Sequence, residues 1–257
     1  MSVYWKKKYG QHLLHDRNIL RKIVNSLELS KEETVVEIGC GSGALTEFLL
    51  KEQVNTIAVE VDDQFFDILE EKFADNNEFN LVRGDILDMK FDEVVPNDKQ
   101  VTVAGNLPYN ITSQILFYLI EYRESISRMV FMMQKEVAER ITAKPRTKDR
   151  GILSVICQYY FHPKILFPVS KNCFYPVPKV GSAVIRLVVK KELEQEVSGN
   201  IKGVVKTCFG KRRKTLRNNL KTSGYDINKI PDAFDLGRRP EELEVGEYAE
   251  LTKLLFK

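Results

Sequence analysis

The stretch TVVEIGCGSGALTEFLL, residues 34–50, decides the fold of this chain. Its first five residues are β-branched apart from Glu37, which predicts a buried strand, and its last seven have the spacing of an amphipathic helix. Between them, Gly39, Gly41 and Gly43 allow the backbone to turn tightly and to approach a ligand at the helix amino terminus. Strand, glycine loop and helix in this order are typical of the first unit of a nucleotide-binding α/β fold.

Strand and helix patterns alternate on both sides of this unit. Residues 17–28 have apolar positions at helical spacing, and the strand patterns TIAVEV, FNLVRGD, QVTVAGN, RMVFMMQ and SAVIRLVVK follow the glycine loop. The helical patterns DDQFFDILEEKFA, SQILFYLIEY and KEVAERIT lie among them. This alternation predicts a doubly wound α/β fold, with a mostly parallel sheet covered by helices on both faces.

Length and composition predict one large and one small domain. The chain has 257 residues, 43% of them hydrophobic, which is enough to bury a sizeable core. The charged, apolar-poor stretch KKELEQEVSGN predicts a boundary, so we assign residues 1–190 to the large α/β domain and residues 191–257 to a small all-helical one.

Several other classes of protein do not match the sequence. The apolar runs are far shorter than the roughly 20 residues of a membrane-spanning helix, and the basic amino terminus has no apolar signal-peptide core. We therefore expect a cytoplasmic protein with no membrane partner. The four cysteines lie far apart, and no Cys/His cluster has metal-ligand spacing, so we predict no metal.

Two acidic residues at strand ends point to an adenosine-containing cofactor. Glu60 ends the second strand about 20 residues beyond the glycine loop, where a carboxylate can accept hydrogen bonds from both ribose hydroxyls. Asp85 follows the third strand, at the same predicted edge of the sheet. The loop also satisfies the relaxed dinucleotide pattern G-x-G-x-x-A, so these residues alone leave the identity of the cofactor open.

The end of the fourth strand, GNLPYNI, has the groups needed to activate an adenine amine. This amine is a poor nucleophile because its lone pair is delocalised into the ring. The side-chain carbonyl of Asn106 and the backbone carbonyl of Leu107, the latter held by Pro108, can accept its two N–H groups and favour a tetrahedral nitrogen. Tyr109 then offers a flat face on which the base can stack.

At this point the chain resembles the ribosomal RNA adenine N6-dimethyltransferase family, most closely its small-subunit branch. The resemblance covers nearly the whole chain. It rests on YGQHLLHD, EIGCGSGALT, GNLPYNI, MMQKEVAERI, GILSVICQYYF, CFYPVPKVGSAVIRL, FGKRRKTLRNNL and RRPEEL.

The resemblance implies a Rossmann-like class I methyltransferase fold and S-adenosylmethionine as cofactor. The implied activity is dimethylation of two adjacent adenosines near the 3′ end of small-subunit ribosomal RNA, on the pre-ribosomal small subunit, by a monomer. The residues implied to line the cofactor pocket are His12, Leu14, Gly39, Gly41, Glu60, Asp85 and Asn106. Tyr109 and Phe174 are implied to sandwich the target adenine.

Basic residues cluster near the carboxy terminus, although the net charge of the whole chain is only +3. A second cluster, in TAKPRTKDRG, is predicted to lie on a loop. Such groups bind RNA phosphates with little sequence preference, although a single charge run can also be a solvated face. The residues predicted to dock RNA, from one helical stretch of the small domain, are Lys211, Arg212, Arg213, Lys214 and Arg217.

Two alternatives differ in target or in chemistry. One is a large-subunit adenine methyltransferase of the antibiotic-resistance type, against which RRKTLRNNL and RRPEEL argue. The other is a non-catalytic nucleic-acid-binding assembly or transcription factor on the same fold. Loss of the glycine loop or of Asn106 would favour this second alternative, and both are intact.

Overall fold

The computed structural model describes residues 12–95 and 100–256, so residues 9–11 of the YGQHLLHD motif lie outside the described residues. The chain divides into two compact units. The first comprises residues 1–138 and 164–189, and the second comprises residues 139–163 and 190–257. This division differs from the expected domains because residues 139–163 group with the carboxy-terminal helices.

Nine strands occur in the described residues, and seven of them form the central sheet. In chain order the strands are β1 (Leu13–Leu14), β2 (Thr34–Ile38), β3 (Asn55–Glu60), β4 (Phe79–Arg83), β5 (Val101–Asn106), β6 (Ile126–Gln134), β7 (Phe161–Val169), β8 (Phe174–Tyr175) and β9 (Ser182–Val189). The sheet order is β4-β3-β2-β5-β6-β9-β7, and β1 pairs separately with β8. Strands β2 to β6 run parallel and β9 runs antiparallel to β6, which confirms the mostly parallel sheet.

Ten helices accompany these strands in the same described ranges. They are α1 (Arg17–Leu27), α2 (Ala44–Leu50), α3 (Phe66–Lys72), α4 (Phe91–Val94), α5 (Thr112–Glu121), α6 (Lys135–Ile141), α7 (Ile152–Tyr160), α8 (Gln195–Cys208), α9 (Leu216–Thr222) and α10 (Val245–Phe256). None of them is long and apolar enough to span a bilayer.

The first unit is organised by the fully buried central strands. Every residue of β2 is buried, as are all residues of β5 except Asn106 at its end. Strand β4, at the edge of the sheet, is largely half-exposed. The sequence analysis missed β7, because Pro163 and Pro168 interrupt its strand pattern. The carboxyl ends of the parallel strands meet at one edge of the sheet, where the polar residues lie.

In the second unit, the basic stretch expected to form one helix is broken. Helix α8 ends at Cys208 and α9 begins at Leu216, with a turn between them. The Asn219 side chain holds this turn, since its amide nitrogen donates to the carbonyl oxygens of Cys208 at 2.6 Å and Lys211 at 3.2 Å. The Thr215 hydroxyl caps the start of α9. Residues 211–214 therefore project from a turn.

A buried arginine explains why residues 139–163 belong to the second unit. The side chain of Arg150 is fully buried. Its guanidinium donates to the Ala143 carbonyl at 2.8 Å, the Gln158 side chain at 2.7 Å and the Leu243 carbonyl at 3.1 Å. Arg150 is the last basic residue of the predicted loop TAKPRTKDRG, and it cannot bind RNA phosphates as expected of that cluster, because its buried side chain joins the loop to the segment that precedes α10.

Candidate active site

A cavity of about 210 Å³ lies at the carboxyl ends of the parallel strands in the first unit. Four successive strand ends contribute to it, and His12 and Leu13 close a further side. The predicted site residues that line it are His12, Gly39, Gly41, Glu60, Asp85, Asn106, Leu107, Pro108 and Tyr109. The structure therefore brings together residues from both predicted subsites, the cofactor pocket and the target-base motif.

Leu14, unlike the other predicted cofactor residues, does not line this cavity. It is 6% exposed and lines a smaller adjoining cavity, together with Glu37, Gly39 and Asn106. Its side chain also belongs to the hydrophobic core of the first unit. Leu14 is thus placed to support the floor of the site.

The glycine loop requires glycine for reasons that the structure makes explicit. Gly39, Gly41 and Gly43 have φ angles of 73°, 54° and 73°, which disfavour residues that carry a Cβ atom. A Cβ at Gly41 would lie 2.9 Å from the Leu13 side chain. A Cβ at Gly43 would lie 2.7 Å from the Phe73 ring, so the tight approach of the loop to its neighbours excludes larger residues.

Glu60 ties the glycine loop to the end of β3. Its carboxylate accepts hydrogen bonds from the backbone N–H groups of Gly41 at 2.7 Å, Val61 at 3.0 Å and Asp62 at 2.9 Å. Burial raises the pKa of this carboxyl group, while the backbone hydrogen bonds oppose the shift. The oxygen that accepts from Gly41 has a second lone pair, so it can also accept a hydroxyl from a ligand.

Asn106 is oriented by a contact that the sequence analysis did not anticipate. Its amide nitrogen donates to the backbone carbonyl of His12 at 2.7 Å. The side-chain carbonyl oxygen is therefore the atom left for a substrate N–H group. The backbone after Asn106 is also fixed. The Leu107 N–H donates to the Met132 carbonyl at 2.9 Å, and the Thr112 hydroxyl donates to the Pro108 carbonyl at 2.9 Å.

Tyr109 is held at both ends of its side chain. Its hydroxyl and that of Ser182 are 2.7 Å apart and share a hydrogen bond, and its ring centroid lies 5.6 Å from that of His12. Burial raises the pKa of the Tyr109 hydroxyl, which keeps the phenol neutral. The ring is thus a fixed, uncharged wall of the cavity.

Phe174 does not line this cavity. Its side chain is 1% exposed and packs in the hydrophobic core of the first unit. Successive residues of a strand point to opposite faces, and Phe174 pairs with Leu14 on the core side of the β1–β8 ribbon. The expected sandwich of Tyr109 and Phe174 is therefore not assembled in this structure.

A buried carboxyl group beneath the glycine loop was also missed. Glu37 is 2% exposed, and the Thr46 hydroxyl donates to it at 2.6 Å. Burial raises the pKa of Glu37 to about 7, and the negative charge of Glu60 adds to this shift. The sequence could have predicted this buried carboxyl group. In TVVEI the Glu lies between two valines and an isoleucine, and every position of such a strand faces a buried layer.

We expect the free energy of unfolding of Glu37→Gln, relative to that of the wild type, to be higher at alkaline pH than at acidic pH. The folded-state pKa lies above that of the unfolded chain, so the wild type loses stability as the pH rises from about 4.5 to 7. The size of the pKa shift limits this stability difference to about 3 kcal/mol. A Gln side chain can still accept a hydrogen bond from the Thr46 hydroxyl. Urea unfolding of both proteins at pH 5 and pH 8 measures the difference. An equal difference at both pH values would contradict the prediction.

Comparison with known proteins assigns the family. A family model described as ribosomal RNA adenine dimethylase matches residues 4–254. The chain belongs to this family. It is 40% identical to the "Ribosomal RNA small subunit methyltransferase A" of Porphyromonas gingivalis, covering 99% of both chains. It is 44% identical to the protein of the same name from Prosthecochloris aestuarii, covering 96% of this chain and 92% of the relative.

Solved structures of a dimethyladenosine transferase and of an rRNA methyltransferase share the fold. A dimethyladenosine transferase from Plasmodium falciparum aligns with a TM-score of 0.78 at 25% identity, covering 95% of this chain and 96% of that one. The 23S rRNA methyltransferase ErmE aligns with a TM-score of 0.73, also at 25% identity, covering 95% and 100%. The class I methyltransferase fold is thus confirmed, and the small-subunit relatives are the more similar in sequence.

As a member of this family, the chain is an S-adenosylmethionine-dependent rRNA adenine dimethyltransferase. The cavity fits this cofactor. Gly39 lines the cavity and a Cβ there would meet no atom within 4 Å, so its absence leaves open space beside the loop. Glu60 and Asp85 supply acceptors at neighbouring strand ends. Within residues 12–95 and 100–256, no cluster of three or more His, Cys, Asp or Glu could hold a metal ion.

Proposed function

We propose that this enzyme dimethylates two adjacent adenosines at N6, near the 3′ end of small-subunit ribosomal RNA, on the pre-ribosomal small subunit. The observation that carries the proposal is the Asn106–His12 hydrogen bond, which leaves an amide carbonyl oxygen as the acceptor at the cavity. The names of the relatives at 40–44% identity support the small subunit as target. We further propose that the enzyme acts as a monomer in the cytoplasm.

We assign the cofactor to the side of the cavity formed by β2, β3 and β4. Glu60 and Asp85 would accept the hydroxyl and amino groups of its adenosine part, and Gly39, Gly41, His12 and Leu14 would border the rest. When bound, S-adenosylmethionine supplies an electrophilic methyl group. Glu60 already holds the Gly41 N–H of the glycine loop before the cofactor binds.

The target adenine is assigned to the side formed by residues 106–109. The Asn106 carbonyl oxygen and the Leu107 carbonyl would accept the two N–H groups of the amine, which directs its lone pair out of conjugation. Tyr109 would stack on the base with a ring that is already fixed. The proton displaced by methylation can leave to water, because the nitrogen loses basicity once its lone pair returns to the ring.

Nucleoside mass spectrometry tests the proposed target. Small-subunit ribosomal RNA from cells that lack this protein is expected to lose two dimethyladenosines, and the wild-type gene should restore both. A gene that carries Asn106→Ala is the matched control, since it makes the same protein without the proposed acceptor. Loss of a large-subunit methylation with an unchanged small-subunit RNA would overturn the proposal.

We assign RNA docking to the basic turn between α8 and α9. Lys211, Arg212, Arg213 and Lys214 are exposed there, and Arg217 follows on the first turn of α9. Arg212 has a second role, since its guanidinium contacts the backbone carbonyls of Lys148 and Arg150 and so joins the basic loop to the turn.

We expect replacement of Arg213, Lys214 and Arg217 by Ala to weaken RNA binding. The slope of log K against log salt should fall by about one for each phosphate contact that is lost. Titrations of a ribosomal RNA fragment at several salt concentrations measure both effects, and cofactor affinity should not change. A control removes three exposed lysines elsewhere in the same unit, Lys191, Lys206 and Lys229. Equal losses in both triple variants would refute a specific docking turn.

A further inference from the structure

An exposed apolar strip follows β8. Tyr175, Val177 and Val180 are 63%, 55% and 46% exposed. Among the residues that the structure describes, only two other large apolar side chains are strongly exposed, Val188 and Phe256. Exposed apolar residues scattered singly need no explanation, whereas three within six residues form a local apolar patch of the kind found at interaction sites.

The pairing of β1 with β8 places Tyr175 on the same face of this ribbon as a residue that lines the catalytic cavity. In this antiparallel ribbon Leu14 opposes Phe174 and Leu13 opposes Tyr175. Residues directly opposite each other share a face, and successive residues alternate between faces. Leu14 and Phe174 occupy the core face, so Tyr175 shares the other face with Leu13, which lines the cavity.

The backbone that carries the strip is held in position before any ligand binds. The His12 ring, which lines the cavity, donates from Nδ1 to the Pro176 carbonyl at 2.7 Å. Pro176 and Pro178 restrict the backbone on either side of Val177. A surface ordered in advance loses little conformational entropy when it binds a partner.

The charge around the strip favours RNA over an acidic or purely apolar partner. Residues 164–189 contain no Asp or Glu, and Lys171 and Lys179 are exposed on either side of Tyr175. From outside this segment, the Asp16 carboxylate accepts from the Cys173 thiol at 3.7 Å. An aromatic ring between positive charges suits a partner that carries negative charge and flat apolar faces. Unpaired nucleotides have both properties, because their bases stack on aromatic side chains while lysines contact their phosphates.

We propose that Tyr175 stacks on the unpaired base next to the adenosine being methylated, and that Val177 and Val180 extend this contact along the RNA. The proposal rests on the proposed function, which places the target adenine beside Asn106 and Tyr109. Tyr175 is then a substrate-positioning residue that favours unpaired over paired RNA, because only an unpaired neighbouring base can stack on it.

The test measures binding of a short single-stranded RNA with one adenosine between two guanosines, by fluorescence anisotropy with wild-type protein. Tyr175→Ala should raise Kd about 5- to 150-fold, the range for loss of one base–aromatic stack. The salt dependence of Kd should stay the same, because no phosphate contact is removed. Tyr175→Phe should bind like the wild type. Val188→Ala, an exposed apolar residue outside the strip, is the control and should also bind normally.

Two further RNAs, each abasic at one guanosine, identify the contacted base. For one of the two abasic RNAs, the Kd of the wild-type protein should rise to the value that Tyr175→Ala shows with the intact RNA. The Kd of Tyr175→Ala for that abasic RNA should not rise any further. An unchanged Kd for Tyr175→Ala, or the same loss on both abasic RNAs, overturns the proposal. A loss of affinity for free adenosine in Tyr175→Ala would place Tyr175 over the target base and would also overturn the proposal. Failure of the wild type to dimethylate small-subunit ribosomal RNA in the pre-ribosomal particle refutes the proposed function independently of these binding results.

Discussion

Asn106→Ala is expected to lower methyl transfer by about 10² to 10³, the effect of removing one preorganised polar contact from an active site. The alanine variant loses the carbonyl oxygen that accepts an amine N–H group, and it loses the hydrogen bond to His12. Cofactor affinity should change much less, since Glu60, Asp85 and the glycine loop remain. Single-turnover methylation of RNA and a separate cofactor titration distinguish the two effects.

Asn106→Asp tests the same residue with almost unchanged shape. A carboxylate cannot donate to the His12 carbonyl, so the 2.7 Å contact becomes repulsive and the side chain loses its orientation. After the first transfer the amine has a single N–H, and a carboxylate left without a donor carries a desolvation cost of about 1 to 3 kcal/mol or more. The second methylation should therefore suffer more than the first, and monomethyladenosine should accumulate.

The measurement for this variant is nucleoside mass spectrometry of RNA methylated over a time course. Both proteins are compared at matched total turnover, so that slower chemistry alone does not mimic accumulation of the intermediate. Wild-type proportions of dimethyladenosine from Asn106→Asp would show that a neutral amide is not required. The family assignment would survive that result.

Glu60→Ala is expected to weaken S-adenosylmethionine binding about ten- to a hundred-fold. One charge-assisted hydrogen bond to the cofactor is worth about 1.5 to 3 kcal/mol. The structure adds a second cause, because Glu60 also holds the backbone N–H groups of Gly41, Val61 and Asp62. Its removal takes away one of the ties between the glycine loop and β3, while the hydrogen bond from the Gly39 N–H to the Val59 carbonyl at 2.8 Å remains.

Glu60→Gln should rescue little of this loss. A Gln side chain has one carbonyl oxygen, and its NH₂ group would face backbone N–H donors where Glu60 now accepts on both oxygens. Glu70→Ala is the control, since Glu70 is half-exposed and pairs with Arg83 at the surface. Calorimetry that gives the same Kd for Glu60→Ala as for Glu70→Ala would show that Glu60 neither binds the cofactor nor shapes its loop.

The sequence by itself determined the fold class and most of the cavity. Buried strands, the glycine loop and the polar residues at strand ends are local patterns, and a parallel sheet must bring its carboxyl ends to one edge. Glu60, Asp85 and Asn106 could therefore be placed together without coordinates, although they lie far apart in the chain.

Only the tertiary structure decided which way individual side chains face and what holds them. Asn106 is oriented by a backbone carbonyl 94 residues away, and Arg150 is buried by a segment 93 residues away. Phe174 and Tyr175 are aromatic neighbours in one motif. The pairing of their strand with Leu13 and Leu14 sends the Phe174 ring to the core and the Tyr175 ring to the opposite, exposed face. A local pattern specifies that successive side chains of a strand point to opposite faces. The register of that strand with a distant partner decides which of these side chains face the cavity.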